Sequence, residues 1–168
     1  YSLLRERGVA SKARIARASG VPPELYPSPG SIPGVSLENS VRKALETSAA
    51  AQVCSGTATL ETAMWGVPFL VAYRTSWITY LLARFLVKGV DSIGMANIVA
   101  GEKFAEELIQ DRVNPSELAD CTEPLMRNTE QRSRCLAGTR RVRNALGGRG
   151  SSRRAAEYVF REIENGKD

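Results

Sequence analysis

From residue 35 onward, short apolar runs alternate with stretches whose apolar residues recur every three or four positions. Residues 35–37 form a short apolar stretch, 39–47 have helical spacing, 49–54 are apolar again, and the turn Ser55-Gly56-Thr57 follows. Strand, helix, strand and turn in that order open a parallel α/β unit. Leu60, Ala63, Met64 and Val67 at i, i+3, i+4 and i+7 predict a helix that ends near Gly66-Val67-Pro68. Residues 68–73 are then continuously apolar, the pattern of a strand covered on both faces, so a parallel sheet with helices on each side is expected.

Beyond Tyr73 the pattern is mainly helical. Ser76 is placed to cap a helix over 77–88 with Ile78, Leu81, Leu82, Phe85 and Leu86 on one face and Gly89 as its stop. Asn114-Pro115-Ser116-Glu117 is a start signal, with a capping Asn, Pro at the first helical position and Glu at the third, ahead of Leu118, Cys121 and Leu125. Further helices are expected over 130–146 and after Gly147-Gly148-Arg149-Gly150-Ser151, the last burying Ala155, Ala156, Val159, Phe160 and Ile163. Residues 1–34 read differently: a basic stretch from Arg5 to Arg17, taken as a helix, and then a Pro/Gly/Ser-rich loop. The division expected is therefore 1–34 and 35–168.

Composition narrows the chemistry. A chain of 168 residues, 43% hydrophobic, can build a real core. No apolar run approaches the length of a membrane span, residues 1–17 lack the apolar stretch of a signal peptide, and the start at Tyr1 suggests a soluble piece of something longer. Cys54, Cys121 and Cys135 have unrelated spacings and there is no histidine, so no zinc site or disulfide framework is expected, and the thiols read as reduced in a cytosolic compartment. Without histidine, Ser-His-Asp and Cys-His nucleophilic systems are excluded. A net charge of +5 calls for an anionic partner without choosing between nucleic acid, lipid surface and phosphorylated substrate.

The candidate chemistry lies at residues 55–61, where a predicted strand passes into a helix, the place at which open α/β sheets bind ligands. Gly56 lets a phosphate approach the backbone, the first-turn N–H groups point at it, and the hydroxyls of Ser55, Thr57 and Thr59 are further donors. Glu61 lies one turn after Thr57 on the same face, so a diphosphate at the helix start would bring its ribose to that carboxylate. For the triplet alone an ordinary helix cap is the simpler reading. The turn is neither GxGxxG nor a P-loop, which removes the usual support for hydride transfer and ATP hydrolysis.

The wider context makes the turn specific. Ser55-Gly56-Thr57-Ala58-Thr59-Leu60-Glu61, then Gly66-Val67-Pro68-Phe69-Leu70-Val71-Ala72-Tyr73-Arg74, then Thr79-Tyr80 with Ala83-Arg84-Phe85-Leu86-Val87-Lys88, then Asn97-Ile98-Val99-Ala100-Gly101 and Glu107-Leu108-Ile109-Gln110, resemble successive motifs of the lipid-A-disaccharide synthases in order and spacing. The resemblance runs from about Val35 to Ile163, roughly three quarters of the chain. It implies an α/β fold: part of the Rossmann-like donor domain of a GT-B glycosyltransferase, a short parallel sheet with helices and a helical C-terminus. It also implies that Ser55, Gly56 and Thr57 face a diphosphate, Glu61 the ribose, Asn97, Glu107 and Gln110 the donor sugar or nearby nucleotide, and that Arg74 counters phosphate charge. The chain departs from the family with Met95-Ala96 in place of Leu-Pro before the asparagine, and with Glu106 in place of a proline.

The reaction implied is transfer of 2,3-diacylglucosamine from UDP to 2,3-diacylglucosamine 1-phosphate in lipid A biosynthesis. No metal or cofactor is expected, and the resemblance puts the catalytic base on an N-terminal acceptor domain outside this sequence. Implied partners are the UDP-diacylglucosamine donor, the acylated glucosamine phosphate acceptor, that N-terminal domain and an anionic membrane surface; the expected location is cytoplasmic and peripheral at the inner membrane, or organellar in a eukaryote. Trp77, Tyr80, Arg84 and Lys88 form an aromatic and basic stripe suited either to lipid headgroups or to an inter-domain contact. The arginine run Arg132, Arg134, Arg140, Arg141, Arg143, Arg149, Arg153 and Arg154 has no interleaved aromatics, so nucleic acid is not expected as a partner. Two alternatives share the turn: a non-catalytic module binding nucleotide sugar or anionic lipid, and another UDP-sugar glycosyltransferase.

Overall fold

A computed structural model describes residues 1–76, 92–148 and 150–165. Its elements are α1 (Ser2–Glu6), β1 (Ala13–Ala16), β2 (Val35–Glu38), α2 (Val41–Leu45), β3 (Ala51–Cys54), α3 (Thr57–Trp65), β4 (Phe69–Tyr73), α4 (Met95–Ala100), β5 (Glu107–Ile109), α5 (Pro115–Met126), α6 (Glu130–Leu146) and α7 (Ser151–Asn165), with short 3-10 turns at Pro23–Leu25 and Gln110–Arg112. The helix expected over 77–88 lies outside the described residues.

All described strand pairs are parallel. β4 lies between β3 and β5, with Val53 opposite Val71 and Tyr73 opposite Ile109. Phe69, Leu70 and Val71 are fully buried, as expected of an uninterrupted apolar strand covered on both faces. The start signal at Asn114 is realised: its Oδ1 accepts the Glu117 N–H at 3.0 Å and Pro115 opens α5, while Thr129 caps α6 by accepting the Arg132 N–H at 3.1 Å.

The basic stretch is not one helix. α1 stops at Glu6, Gly8 turns the chain with φ +66°, and Ala13–Ala16 forms a strand beside β2, with Ala13 opposite Val35 and Ile15 opposite Leu37. Pairing with a distant apolar segment outweighs the local helical tendency of this Ala- and Arg-rich stretch. α1 itself is tied to α5 by Arg7, which bridges Asp120 at 2.8 Å and Glu123 at 3.2 Å.

α6 supplies the floor of the sheet, packing on α3 and α4. Phe104 meets Phe69 edge-on at 5.8 Å between ring centres, and Cys135 lies against the Phe69 backbone with its thiol pushed up by burial, which keeps it protonated. α7 corrects a second expectation: Ala155, Ala156, Val159, Phe160 and Ile163 are exposed, Phe160 by 67%. Its periodicity defines an apolar face, but among the described residues nothing covers that face. No helix among the described residues is long and apolar enough to cross a membrane.

Gly138 is where α6 comes closest to the sheet side, since a Cβ there would overlap the Phe104 ring. Gly138→Ala therefore displaces a core aromatic, and a loss of about 1–3 kcal/mol is expected in denaturant unfolding despite the better helix propensity of alanine.

Candidate nucleotide-sugar site

The turn after β3 is built around one backbone conformation. Gly56 sits at φ 134°, ψ −160°, a region that side chains with a Cβ rarely enter, and a Cβ there would meet nothing within 4 Å. The obstacle to substitution is backbone strain, not crowding. This conformation redirects the chain from β3 into α3, where the Thr59 N–H bonds the Gly56 carbonyl at 3.1 Å and the N–H groups of Thr57 and Ala58 lie ahead of the regular helical bonding. Thr57 and Glu61 are exposed on this helix, and Arg74 is exposed at the end of β4. Among the described residues, these are the predicted site residues whose side chains face outward.

The other predicted residues are engaged with the protein. Ser55 Oγ donates to the Ile93 carbonyl at 2.9 Å. Thr59 is fully buried; its hydroxyl donates to the Gly56 carbonyl at 2.8 Å and accepts from the Ala96 N–H at 3.2 Å, fastening α3 to α4. Asn97 Oδ1 accepts from the N–H groups of Phe104 and Ala105 at 3.2 and 3.0 Å, while Nδ2 donates to the Ala105 carbonyl and to Glu107 Oε1, each at 2.8 Å. Glu107 also accepts from Ile93 N–H at 3.0 Å and Gly94 N–H at 2.9 Å. Gln110 Oε1 accepts from Thr75 N–H at 2.8 Å and its Nε2 donates to the Thr75 carbonyl at 3.0 Å.

Ser55, Thr59, Asn97 and Glu107 thus form one connected network behind the turn, and Gln110 holds the chain just past Arg74. Two participants were not singled out from the sequence: the backbone of Thr75 and that of Ile93–Gly94. Gly94 is tightly placed, because a Cβ there would lie 3.0 Å from Val71 Cγ2 and 3.1 Å from Glu107 Oε1. Trp77, Tyr80, Arg84 and Lys88 lie outside the described residues. Shallow hollows lined by Tyr1, Ser2, Arg5, Ile32 and Pro33, and by Leu4, Gln52 and Leu118, include none of the predicted site residues.

Much of the arginine run has local work. Arg132 donates to the carbonyls of Ala49 and Leu125, Arg143 Nε to the Met64 carbonyl at 2.8 Å at the end of α3, Arg141 pairs with Glu102, and Arg153 with Glu157. Arg149 lies outside the described residues. Among the described residues, no group of three or more acidic or cysteine side chains is arranged to hold a metal ion.

The family model for lipid-A-disaccharide synthetase matches residues 31–163. The chain belongs to the lipid-A-disaccharide synthetase family. It is similar to the lipid-A-disaccharide synthase of Trichlorobacter lovleyi, 43% identical over 110 residues, which are 66% of this chain and 28% of that protein. The synthase of Syntrophus aciditrophicus is 41% identical over 133 residues, and that of Azotobacter vinelandii 36% over 133, each alignment covering 79% of this chain and 34% of the relative. The chain therefore spans about a third of the length of the curated relatives it matches. Within the synthetase family, the parallel strands and flanking helices correspond to part of a Rossmann-like GT-B domain.

In this family member the Asn97–Glu107 pair can be tested directly. Asn97→Asp replaces an amide donor by a second carboxyl against Glu107 and should cost roughly 3 kcal/mol at neutral pH. Burial and the neighbouring carboxylate raise the new group's pKa in the folded state, so the folded chain binds more protons than the unfolded one. Stability should accordingly fall as pH rises through that raised value and recover toward acid, as read by urea unfolding across pH.

Proposed function

We propose that this chain is the donor-nucleotide part of a lipid-A-disaccharide synthase that transfers 2,3-diacylglucosamine from UDP to 2,3-diacylglucosamine 1-phosphate. The observation that carries the reading is the turn after β3: a glycine at positive φ opens α3 at the C-terminal edge of the sheet, and Thr57 and Glu61 stand exposed one turn apart. The N–H groups of Thr57 and Ala58 at the start of α3 supply positive dipoles to a diphosphate, Thr57 adds a hydroxyl, and Arg74 adds a charge at the neighbouring strand end. Glu61 accepts from the paired ribose hydroxyls. Ser55 and Thr59 contribute by shaping the turn through the internal hydrogen bonds of their hydroxyls.

In the transfer, the acceptor hydroxyl forms the new bond to the anomeric carbon as the bond to UDP breaks; its proton passes to a base and the negative charge leaves on the diphosphate. Helix dipoles at α3 lower the barrier by stabilising that departing charge. The base belongs to the part of the relatives that this chain does not span, so the chain by itself binds nucleotide without turnover. The acyl chains of donor and acceptor support a peripheral location at the cytoplasmic face of the inner membrane, with Trp77, Tyr80, Arg84 and Lys88 as the candidate contact.

Calorimetric titration with UDP, against ADP, tests the reading. UDP is expected to bind in preference to ADP, and Glu61→Ala to weaken UDP about tenfold, the loss of a charged hydrogen-bond pair to the ribose. Equal binding of the two nucleotides, or an unchanged UDP affinity in Glu61→Ala, removes the ribose role and the donor assignment built on it.

A further inference from the structure

Glu107 opens β5 and Gln110 follows its last residue, both are buried, and their side-chain polar atoms already have protein partners. Glu106, one residue earlier, faces outward to Arg112 and Lys103. Glu107 turns inward and is satisfied by N–H donors. Gln110 is the described non-glycine residue with positive φ, at 53°. That left-handed backbone is unfavourable for a residue with a Cβ, and it aims the amide at Thr75. There the side chain pairs with both peptide groups of one residue, copying the contact a neighbouring strand would make. Asparagine, which tolerates this backbone more readily, is one methylene too short to keep both bonds.

The two side chains hold different stretches of the same surface. Gln110 fixes Thr75, immediately after Arg74. Glu107 fixes Ile93 and Gly94, and the Ile93 carbonyl in turn receives the Ser55 hydroxyl. The two residues that bracket β5 therefore set the backbone next to Arg74 and the backbone that anchors Ser55 in the turn ahead of α3. We propose that Glu107 and Gln110 are positioning residues of the nucleotide-sugar site, acting through the backbone of Thr75 and Ile93–Gly94 and not by touching the donor. The inference rests on the donor-site reading above.

The test compares UDP affinity, thermal melting and the amide resonances of Thr75, Ile93 and Gly94 in the unaltered chain, Gln110→Gly and Glu107→Gln. Gln110→Gly removes the pairing together with the backbone strain, so it is expected to melt within a few degrees of the unaltered chain while binding UDP about tenfold more weakly. Glu107→Gln, which trades one acceptor oxygen for a donor beside Ile93 or Gly94, is expected to lose both affinity and melting temperature. Gln110→Asn, too short for the second bond, should fail to restore affinity. A folded Gln110→Gly that binds UDP as tightly as the unaltered chain, with the Thr75 amide shifted, overturns the inference and leaves the donor-site reading standing. An affinity loss that merely tracks a fall in melting temperature in Gln110→Gly also overturns it, since that is the behaviour of a structural residue. An unaltered chain that binds no UDP overturns the donor-site reading and this role with it.

Discussion

A carboxylate taken out of water must be given hydrogen-bond donors to replace those it loses, and the donors must be fixed in place beforehand. Glu107 finds the N–H groups of Ile93 and Gly94 and the amide of Asn97, and Asn97 is itself fixed by Phe104 and Ala105. Because each partner is also engaged elsewhere, the group works as a unit: moving one member leaves another buried and unsatisfied. β5, α4 and the turn after β3 are consequently set relative to one another by polar geometry, while apolar packing of Phe69, Leu70, Leu108 and Val142 supplies the general drive to burial.

The division between these two kinds of force explains the outward surface. With Ser55 turned to Ile93 and Thr59 to Gly56 and Ala96, the side chains left facing solvent near the turn include Thr57, Glu61 and Arg74. A hydroxyl, a carboxylate and a guanidinium are displayed around a helix N-terminus by a frame whose own polar groups are consumed internally. Residues that look alike in a motif thus separate into those that display and those that hold.

Much of the central architecture was legible because it depends on neighbours in sequence. The continuous apolar run at β4, the helical spacing of α3 and the Asn-Pro-Ser-Glu start of α5 are local signals, and each element forms, although Met64 of the expected α3 face is exposed and Val67 lies past the helix end. β1 was not legible, since it exists by pairing with β2 across a long Pro- and Gly-rich loop, and nothing within Ala13–Ala16 announces that partner. Nor could periodicity say that Asn97, Glu107 and Gln110 point inward: a motif gives residue types and spacing, and the direction of a polar side chain is settled by donors that come from elsewhere in the chain. The family resemblance turns Asn97, Glu107 and Gln110 toward the donor sugar or nearby nucleotide, whereas their polar atoms are engaged by the protein itself.

α7 makes a different kind of demand. It is 15 residues long, follows a glycine-rich connection and has an apolar face that no described residue covers. A helix of that length in water gains little from its own backbone hydrogen bonds against the cost of nucleation. Its folding and its docking are therefore a single equilibrium: whatever surface comes to lie against Val159, Phe160 and Ile163 also determines how much of the time these residues are helical at all.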